Sequence, residues 1–302
     1  MRVVSLLPAA TEIVAALGRL DALVGVSHEC DWPPAVAALP RVTRCAIHGN
    51  ALPSDATDRW VTETLTATGT LYTLDEALVR RLAPDVLVTQ RLCDVCAVDY
   101  PSVAAFAATL PGPPVVVSLE PQTLADVLGD LRRVGAALQA QGAADAAVAA
   151  LEARLDAVRR RTAALPRRRC VLLEWTLPPF RSGHWGPELV EIAGGTDLLG
   201  RPGEDAARVA WEDVVRAAPD VLVLACCGYD VGRTCADVPR LRALPGWDDL
   251  PAVRADAVWA LDGSAYVSRP GPRLVDSAEI LAAILHPAHF RAFPDSVARR
   301  VR

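Results

Sequence analysis

The chain alternates short apolar runs with longer amphipathic segments. The short runs predict strands at Val3–Leu7, Leu23–Ser27, Val86–Thr89, Val115–Leu119, Cys170–Glu174, Val221–Ala225 and Val258–Leu261. Between most of them, apolar residues at helical spacing predict helices, for example at Glu12–Leu17, Leu74–Leu82, Glu188–Ala193 and Trp211–Ala217. This alternation is typical of βα units, so the pattern predicts an α/β protein with mainly parallel sheets.

The pattern is also duplicated. The segment Arg81–Val88, RLAPDVLV, recurs at Arg216–Val223 as RAAPDVLV, and Glu12–Gly18 resembles Glu188–Gly194. A third echo pairs the strand, polar loop and helix that begin at Val115 with those that begin at Val258. The chain is therefore predicted to have two similar halves, each with ligand-accessible loops at the carboxyl ends of its strands.

A long helix is predicted between the halves. Val148, Leu151, Leu155 and Val158 recur at helical spacing, and no glycine or proline interrupts Ala143–Leu165 before Pro166. We interpret this segment as a connector between an N-terminal lobe (1–142) and a C-terminal lobe (166–302). The alternative is one more packing helix.

Composition excludes several classes of function. The chain has 302 residues, a net charge of −5 and 31 cationic side chains, all of them arginine. The acidic balance argues against a nucleic-acid-binding protein, which needs a basic face for phosphates. The lack of lysine excludes a lysine Schiff base and a P-loop lysine. The length allows a large buried core and suggests two lobes.

The beginning of the chain bears on its location. The apolar opening contains Pro8 and Glu12, and neither a small-residue cleavage site nor a lipid-attachment cysteine follows. No apolar run approaches the ~20 residues that a membrane span requires. These observations predict a cytoplasmic protein without a membrane span. Eight cysteines fit either disulfides or, in a cytosolic protein, metal-binding or reduced thiols.

Two loops that follow predicted strands of the first half carry cysteines. One contains His28 and Cys30, and the other contains Cys93 and Cys96 in a C-x₂-C spacing. Two thiolates at that spacing can bind one metal ion, and the four side chains together could hold Zn or Fe. A redox pair and buried, inert or ligand-lining thiols are the two other interpretations, and the sequence leaves all three open.

Aromatic side chains are concentrated on one loop of the second half. Trp175, Phe180, His184 and Trp185 lie within twelve residues of a chain that is only 5% aromatic. They form either a flat wall for a large ligand or the anchor that packs the loop against the protein, and we favour the wall. Tyr229 follows the next predicted strand.

The loop after the last predicted strand offers Tyr266 and Arg269 as hydrogen-bond donors before a helix. The alternatives are an anion or amide site and an ordinary capped loop. No catalytic motif is recognisable, since the chain lacks a G-x-S-x-G elbow, a glycine-rich phosphate loop and an H-E-x-x-H motif. We therefore expect a binding protein rather than an enzyme.

Four motifs carry a family resemblance that covers nearly the whole chain. They are VSLLPAATE at Val4–Glu12, GVSHECD at Gly25–Asp31, LCDVC at Leu92–Cys96 and SRPGPR at Ser268–Arg273. Together they resemble the cobalamin-binding branch of the class III periplasmic binding proteins, also called helical-backbone metal receptors. The resemblance implies two Rossmann-like α/β lobes with mainly parallel sheets, joined by one long α-helix.

The resemblance also implies a ligand and its contacts. The ligand would lie in a cleft flanked by aromatic side chains, and matching the family loop by loop gives Pro8, Trp32, Trp175, Phe180, Trp185, Tyr229 and Tyr266, to which we add His184 and Arg269. We therefore expect a bulky metal-containing small molecule, with cobalamin as the favoured ligand. The alternative is a cytosolic metalloprotein or enzyme with Zn or Fe at the Cys/His site. The resemblance further implies an ABC permease as partner, against which the lack of an export signal argues.

Overall fold

The computed structural model describes residues 1–45, 52–91, 98 and 100–301. The chain divides into two compact units. Unit 1 comprises Met1–Asn50, Arg59–Pro121 and Ala125–Ala150, and unit 2 comprises Ala51–Asp58, Gln122–Leu124 and Leu151–Arg302. Both units are α/β, as the sequence pattern predicts.

The elements follow one another in chain order. The strands are β1 (Val3–Ser5), β2 (Leu23–Val26), β3 (Thr43–Cys45), β4 (Tyr72–Leu74), β5 (Val86–Gln90), β6 (Val115–Leu119), β7 (Arg168–Trp175), β8 (Phe180–Arg181), β9 (Gly195–Asp197), β10 (Ala207–Arg208), β11 (Val221–Leu224), β12 (Val258–Leu261) and β13 (Ala298–Arg300). The helices are α1 (Pro8–Ala16), α2 (Ser54–Thr68), α3 (Glu76–Leu82), α4 (Tyr100–Ala108), α5 (Leu124–Ala137), α6 (Gln141–Thr162), α7 (Gly186–Ile192), α8 (Trp211–Ala217), α9 (Val231–Arg242), α10 (Pro251–Arg254), α11 (Gly263–Tyr266) and α12 (Leu274–Leu285).

Unit 1 is built on a parallel sheet with the strand order β2-β1-β5-β6. Its central strands β1 and β5 are buried along their whole length, which explains their unbroken apolar sequences. Val4 and Leu87 belong to a core that includes Val103 and Phe106 of α4. Strands β3 and β4 form a separate antiparallel pair.

Unit 2 repeats this arrangement and extends it. Strands β9, β7, β11 and β12 pair in parallel in that order, as β2, β1, β5 and β6 do in unit 1. Antiparallel β8 pairs with the carboxyl-terminal end of β7 and continues to β10, while antiparallel β13 lies beside β12. The core contains Leu173, Leu222 and Leu224 of the sheet.

The predicted duplication is confirmed at the level of backbone conformation. Ala83 directly follows α3 and Ala218 directly follows α8, with φ angles of 41° and 43°. Both alanines therefore adopt the left-handed conformation that commonly closes a helix. In each copy a Pro-Asp turn then leads into a buried strand, β5 or β11.

The long helix predicted between the halves is α6, which begins two residues earlier than predicted and ends at Thr162. Its predicted apolar positions Val148, Leu151, Leu155 and Val158 are all buried. Its Arg154 pairs with Glu279 of α12 at 2.8 Å. Within the described ranges, no helix combines the length and apolarity needed to cross a membrane.

The seven predicted strands are present, whereas β3, β4, β8, β9, β10 and β13 were not predicted. Each of these has only two or three residues, too few for an alternating pattern to be recognised. Strand β10 consists of Ala207 and Arg208 alone, and its pairing with β8 comes from the fold of the loop rather than from local preference.

Candidate functional site

The first strand-end loop of unit 1 connects β1 to α1. Pro8 occupies the first turn of α1 and is buried. Proline suits this position because its missing N–H would have no partner in the first turn and its φ is already helical. Pro8 thus begins the helix, and its predicted ligand contact stays a prediction.

A network of small polar side chains orders the loop after β2. The Cys30 thiol is 1% exposed, accepts a hydrogen bond from Thr11 Oγ1 at 3.0 Å, and lies 3.1 Å from Ser27 Oγ. Arg41 Nη1 donates to the carbonyl oxygens of Ser27 and Cys30 at 3.1 and 2.6 Å. The loop is therefore held from within as far as Cys30, and Trp32 follows with 47% of its surface exposed.

His28 lies in the same loop. Its Nδ1 is 2.8 Å from Thr43 Oγ1, and its backbone N–H donates to the same oxygen at 3.0 Å. The ring centroid lies 5.4 Å from that of Tyr72, and Nε2 lies 3.8 Å from the Glu29 carboxylate.

The predicted metal site combines His28 and Cys30 with Cys93 and Cys96, and these two cysteines lie outside the described residues. In the part of the chain that the structure describes, no group of three or more histidine, cysteine or acidic side chains could hold a metal ion. The structure thus gives the Zn or Fe alternative no support, and the four-ligand set stays a prediction.

The aromatic loop of unit 2 begins at the carboxyl end of β7. Trp175 Nε1 donates to Leu177 O at 3.2 Å, and its ring meets Tyr229 edge-to-face with centroids 4.8 Å apart. Phe180, in β8, is partly buried, and the Arg208 guanidinium lies 5.5 Å from its ring centroid. The Trp175 and Tyr229 rings therefore stabilise one another at the end of the sheet.

His184 and Trp185 follow on the same loop. Trp185 is 5% exposed and donates from Nε1 to Val267 O at 2.9 Å, which corresponds to the anchoring alternative. His184 Nδ1 lies 2.9 Å from Gln122 Oε1, and its ring stacks on Trp185. Burial lowers the pKa of His184, although the Asp205 carboxylate opposes this shift, so the imidazole is neutral at pH 7.

Tyr229 follows β11 and is 2% exposed. Its hydroxyl lies 3.1 Å from Thr57 Oγ1, and the Arg233 guanidinium lies 3.7 Å from its ring centroid. Desolvation raises the pKa of the phenol, so the neutral form persists. The ring packs edge-to-face against Trp175, and direct ligand contact by Tyr229 stays a prediction.

The loop after β12 contains the last two predicted contacts. Tyr266 is partly buried in α11, and the Arg273 guanidinium lies 5.6 Å from its ring centroid. Arg269 is 9% exposed and donates from Nη2 to Ser264 Oγ at 3.3 Å. Asp262 accepts from Ala265 N at 2.7 Å and so caps α11.

Two acidic residues near the carboxyl end of strand β7 were not predicted as site residues. Asp237 of α9 is 3% exposed and accepts from Thr176 Oγ1 at 2.8 Å and from Ser54 N at 3.4 Å. Glu174 ends the buried run of β7 and accepts from Gly183 N at 2.9 Å. A carboxylate at the end of an apolar strand was a signal for Glu174, whereas nothing local distinguishes Asp237.

Comparison with known proteins places the chain in a family. The family model described as periplasmic binding protein matches residues 3–265. A curated relative, the vitamin B12-binding protein of Vibrio cholerae serotype O1, is 25% identical over 293 residues, which is 94% of this chain and 88% of the relative.

Solved structures agree with this match. The periplasmic vitamin B12 binding protein BtuF of Vibrio cholerae has a TM-score of 0.66 and 23% identity, covering 96% of this chain and 98% of that one. A periplasmic heme binding protein from Pseudomonas aeruginosa has a TM-score of 0.73 and 21% identity, covering 98% and 96%. At such identities the likeness establishes the fold and leaves the ligand open.

These findings correct the predicted location. The cytoplasmic prediction is wrong, because the matching family and both of these structural relatives are periplasmic. That prediction depended on failing to recognise an export signal, which is weaker evidence than a match across most of the chain. From the residues matched and the fold, the chain belongs to the periplasmic binding protein family.

Proposed function

We propose that the protein binds a bulky metal-containing small molecule of the corrinoid class, with cobalamin as the specific ligand, and passes it to an ABC permease. Membership of the periplasmic binding protein family supports a binding role. The relative that matches 94% of the chain is named for vitamin B12, which favours a corrinoid over heme. Both corrinoids and hemes are wide, flat molecules, so aromatic surfaces suit either.

The observation that carries the proposal is the exposed indole of Trp32 on the loop after β2. Among the described residues, the large hydrophobic side chains classed as exposed are Met1, Trp32 and Val115, and only Trp32 lies at the carboxyl end of a parallel strand. Open α/β sheets bind ligands at that end. An exposed tryptophan leaves a large apolar surface in water, and covering it with a flat ligand is favourable.

The loop that carries Trp32 is also ordered before any ligand arrives. The bonds of Cys30 and Arg41 described above hold the preceding backbone in place. A preformed loop loses little conformational entropy on binding, and this lowers the cost of forming the complex.

Unit 2 offers aromatic surface of the same kind. Trp175, Phe180 and Tyr266 are partly buried, whereas Trp185 and Tyr229 are nearly fully buried. We assign ligand contact to the partly exposed rings and support to the buried ones. This division restricts the aromatic wall that the sequence suggested to the rings a ligand can reach.

The test is a titration of purified protein with cyanocobalamin, followed by absorbance and by calorimetry, with hemin titrated in parallel. We expect cobalamin binding at micromolar concentration or tighter, and weaker binding of hemin. Trp32→Ala should weaken cobalamin binding by about tenfold, because the indole surface buried against the ligand is lost.

Val115→Ala is the matched control. Val115 is also an exposed hydrophobic residue, at 58%, but it begins β6 and so lies at the opposite end of its strand from the ligand-binding loops. Its loss should leave the affinity unchanged. Absence of cobalamin binding at millimolar ligand contradicts the proposal. Preferential binding of hemin would show that the ligand is heme rather than a corrinoid.

A further inference from the structure

Glu174 occupies an unusual position for an acidic residue. It is the penultimate residue of β7, a central strand of the unit 2 sheet, and Leu173 before it belongs to the apolar core. The Glu174 side chain instead meets Gly183 and Gly186. It therefore lies at the sheet end where α/β proteins bind ligands.

The protein holds one of the two oxygens of the Glu174 carboxyl group. Oε1 accepts from Gly183 N at 2.9 Å, and a Cβ added at Gly186 would lie 3.2 Å from it. Gly183 has no room for a side chain, because a Cβ there would lie 2.3 Å from Ala206 N. The other oxygen, Oε2, receives no hydrogen bond from a described residue, and the Glu174 side chain is only partly buried.

The charges around Glu174 do not favour an ionised carboxylate. Arg181 of β8 is the cation that faces it, but Arg181 is already paired with Glu204 at 3.0 Å. Asp197 of β9 and Cys227 after β11 lie on the other sides, and both disfavour a negative charge on Glu174.

The imidazole of His184, on the same loop, is neutral and is hydrogen-bonded to Gln122. Glu188 of α7 accepts from Leu124 N at 2.7 Å. Burial is the largest cause acting on Glu174 and raises its pKa to about 8, so the carboxyl group is mainly protonated at pH 7.

We propose that Glu174 is a specificity-determining residue of the ligand site, and that its carboxyl group donates a hydrogen bond from Oε2 to an uncharged carbonyl oxygen of the ligand. This inference rests on the proposed function and sharpens it. Corrinoids of the cobalamin type carry amide side chains around the macrocycle, whereas heme carries carboxylates. A neutral donor beside an aromatic surface suits the amide carbonyl, which accepts a hydrogen bond without bringing a charge.

The test measures cyanocobalamin affinity from pH 6 to pH 9.5 for the wild type, Glu174→Gln and Glu174→Ala. In the wild type we expect about tenfold weaker binding at pH 9 than at pH 7, because the fraction of protein with a protonated Glu174 falls by that factor. Glu174→Gln keeps an uncharged donor, so its affinity should stay close to the neutral-pH value across the range. Glu174→Ala should bind about tenfold more weakly at pH 7.

Glu212→Gln, on the exposed face of α8, is the control for removing one carboxylate, and circular dichroism confirms that each variant is folded. The inference is overturned if wild type and Glu174→Gln share one pH profile, or if Glu174→Ala binds like the wild type at pH 7. Failure of every protein, wild type included, to bind cobalamin overturns the proposed function and this inference together.

Discussion

At the scale of single residues, Asp130 shows how burial controls a charge. Its side chain, on α5 of unit 1, is 1% exposed, and one carboxylate oxygen bonds to Arg133 while Oδ2 has no partner among the described residues. Desolvation raises the pKa of Asp130 to about 7, and Arg133 only partly offsets this effect.

This shift has a definite consequence for stability. The folded-state pKa of Asp130 lies above the value of an unfolded aspartate, so its contribution to stability is full below about pH 4 and is lost as the pH rises towards 7. Asparagine cannot ionise. We expect Asp130→Asn to raise the melting temperature by several degrees relative to wild type at pH 8, and by much less at pH 5.

Thermal unfolding at both pH values measures this difference. Glu152→Gln, exposed on α6, is the control and should shift both values alike. If Asp130→Asn behaves at pH 8 as it does at pH 5, Asp130 is not the group that titrates.

At the scale of elements, the two copies of the helix–turn–strand motif share a strained end. Ala83 and Ala218 have positive φ angles, which bring the Cβ of an L-residue close to its own carbonyl oxygen and cost about 1 kcal/mol. Glycine has no Cβ and adopts this conformation freely. The strain arises because each helix must stop before a proline, Pro84 or Pro219.

Ala83→Gly and Ala218→Gly should therefore each raise the free energy of unfolding by about 0.5–1 kcal/mol, although glycine usually destabilises a fold. The double variant should show the sum, since the sites lie in different units. Urea denaturation followed by circular dichroism measures the change.

Ala153→Gly, on an exposed position inside α6, is the control for a glycine inside a helix and should lower stability by about 1 kcal/mol. Destabilisation at the two helix ends would show that the left-handed conformation is not strained there.

At the scale of the whole molecule, the family match spans residues 3–265, which includes residues of both units. A ligand that binds only the folded protein stabilises it by mass action, at about 2.7 kcal/mol when its concentration is a hundred times Kd.

Cyanocobalamin at that excess should therefore raise the melting temperature by several degrees in a scanning fluorimetry experiment. The Trp32→Ala variant should need about tenfold more ligand for the same shift. An equal shift from an unrelated flat molecule of similar size would indicate non-specific binding.

The sequence determined more of the fold than of the candidate site. Buried parallel strands such as β5 and β11 are continuous apolar runs, and the repeated Pro-Asp turns mark where each begins. These signals are local, so the α/β class, the duplication and α6 followed from the sequence. Strands β8 and β10 could not be predicted from the sequence, because two-residue strands depend on a pairing partner far along the chain.

For the site, the sequence predicted which loops follow the carboxyl ends of strands, and therefore Trp32, Trp175 and Tyr266 as candidates. Only the tertiary structure showed that Trp185 and Tyr229 are buried, whereas Trp32 is exposed and Trp175 and Tyr266 are partly buried. It alone revealed the surroundings that raise the pKa of Glu174 and of the buried Asp130. Burial and pKa depend on the charges and the loss of water around a group, and residues distant in sequence supply both.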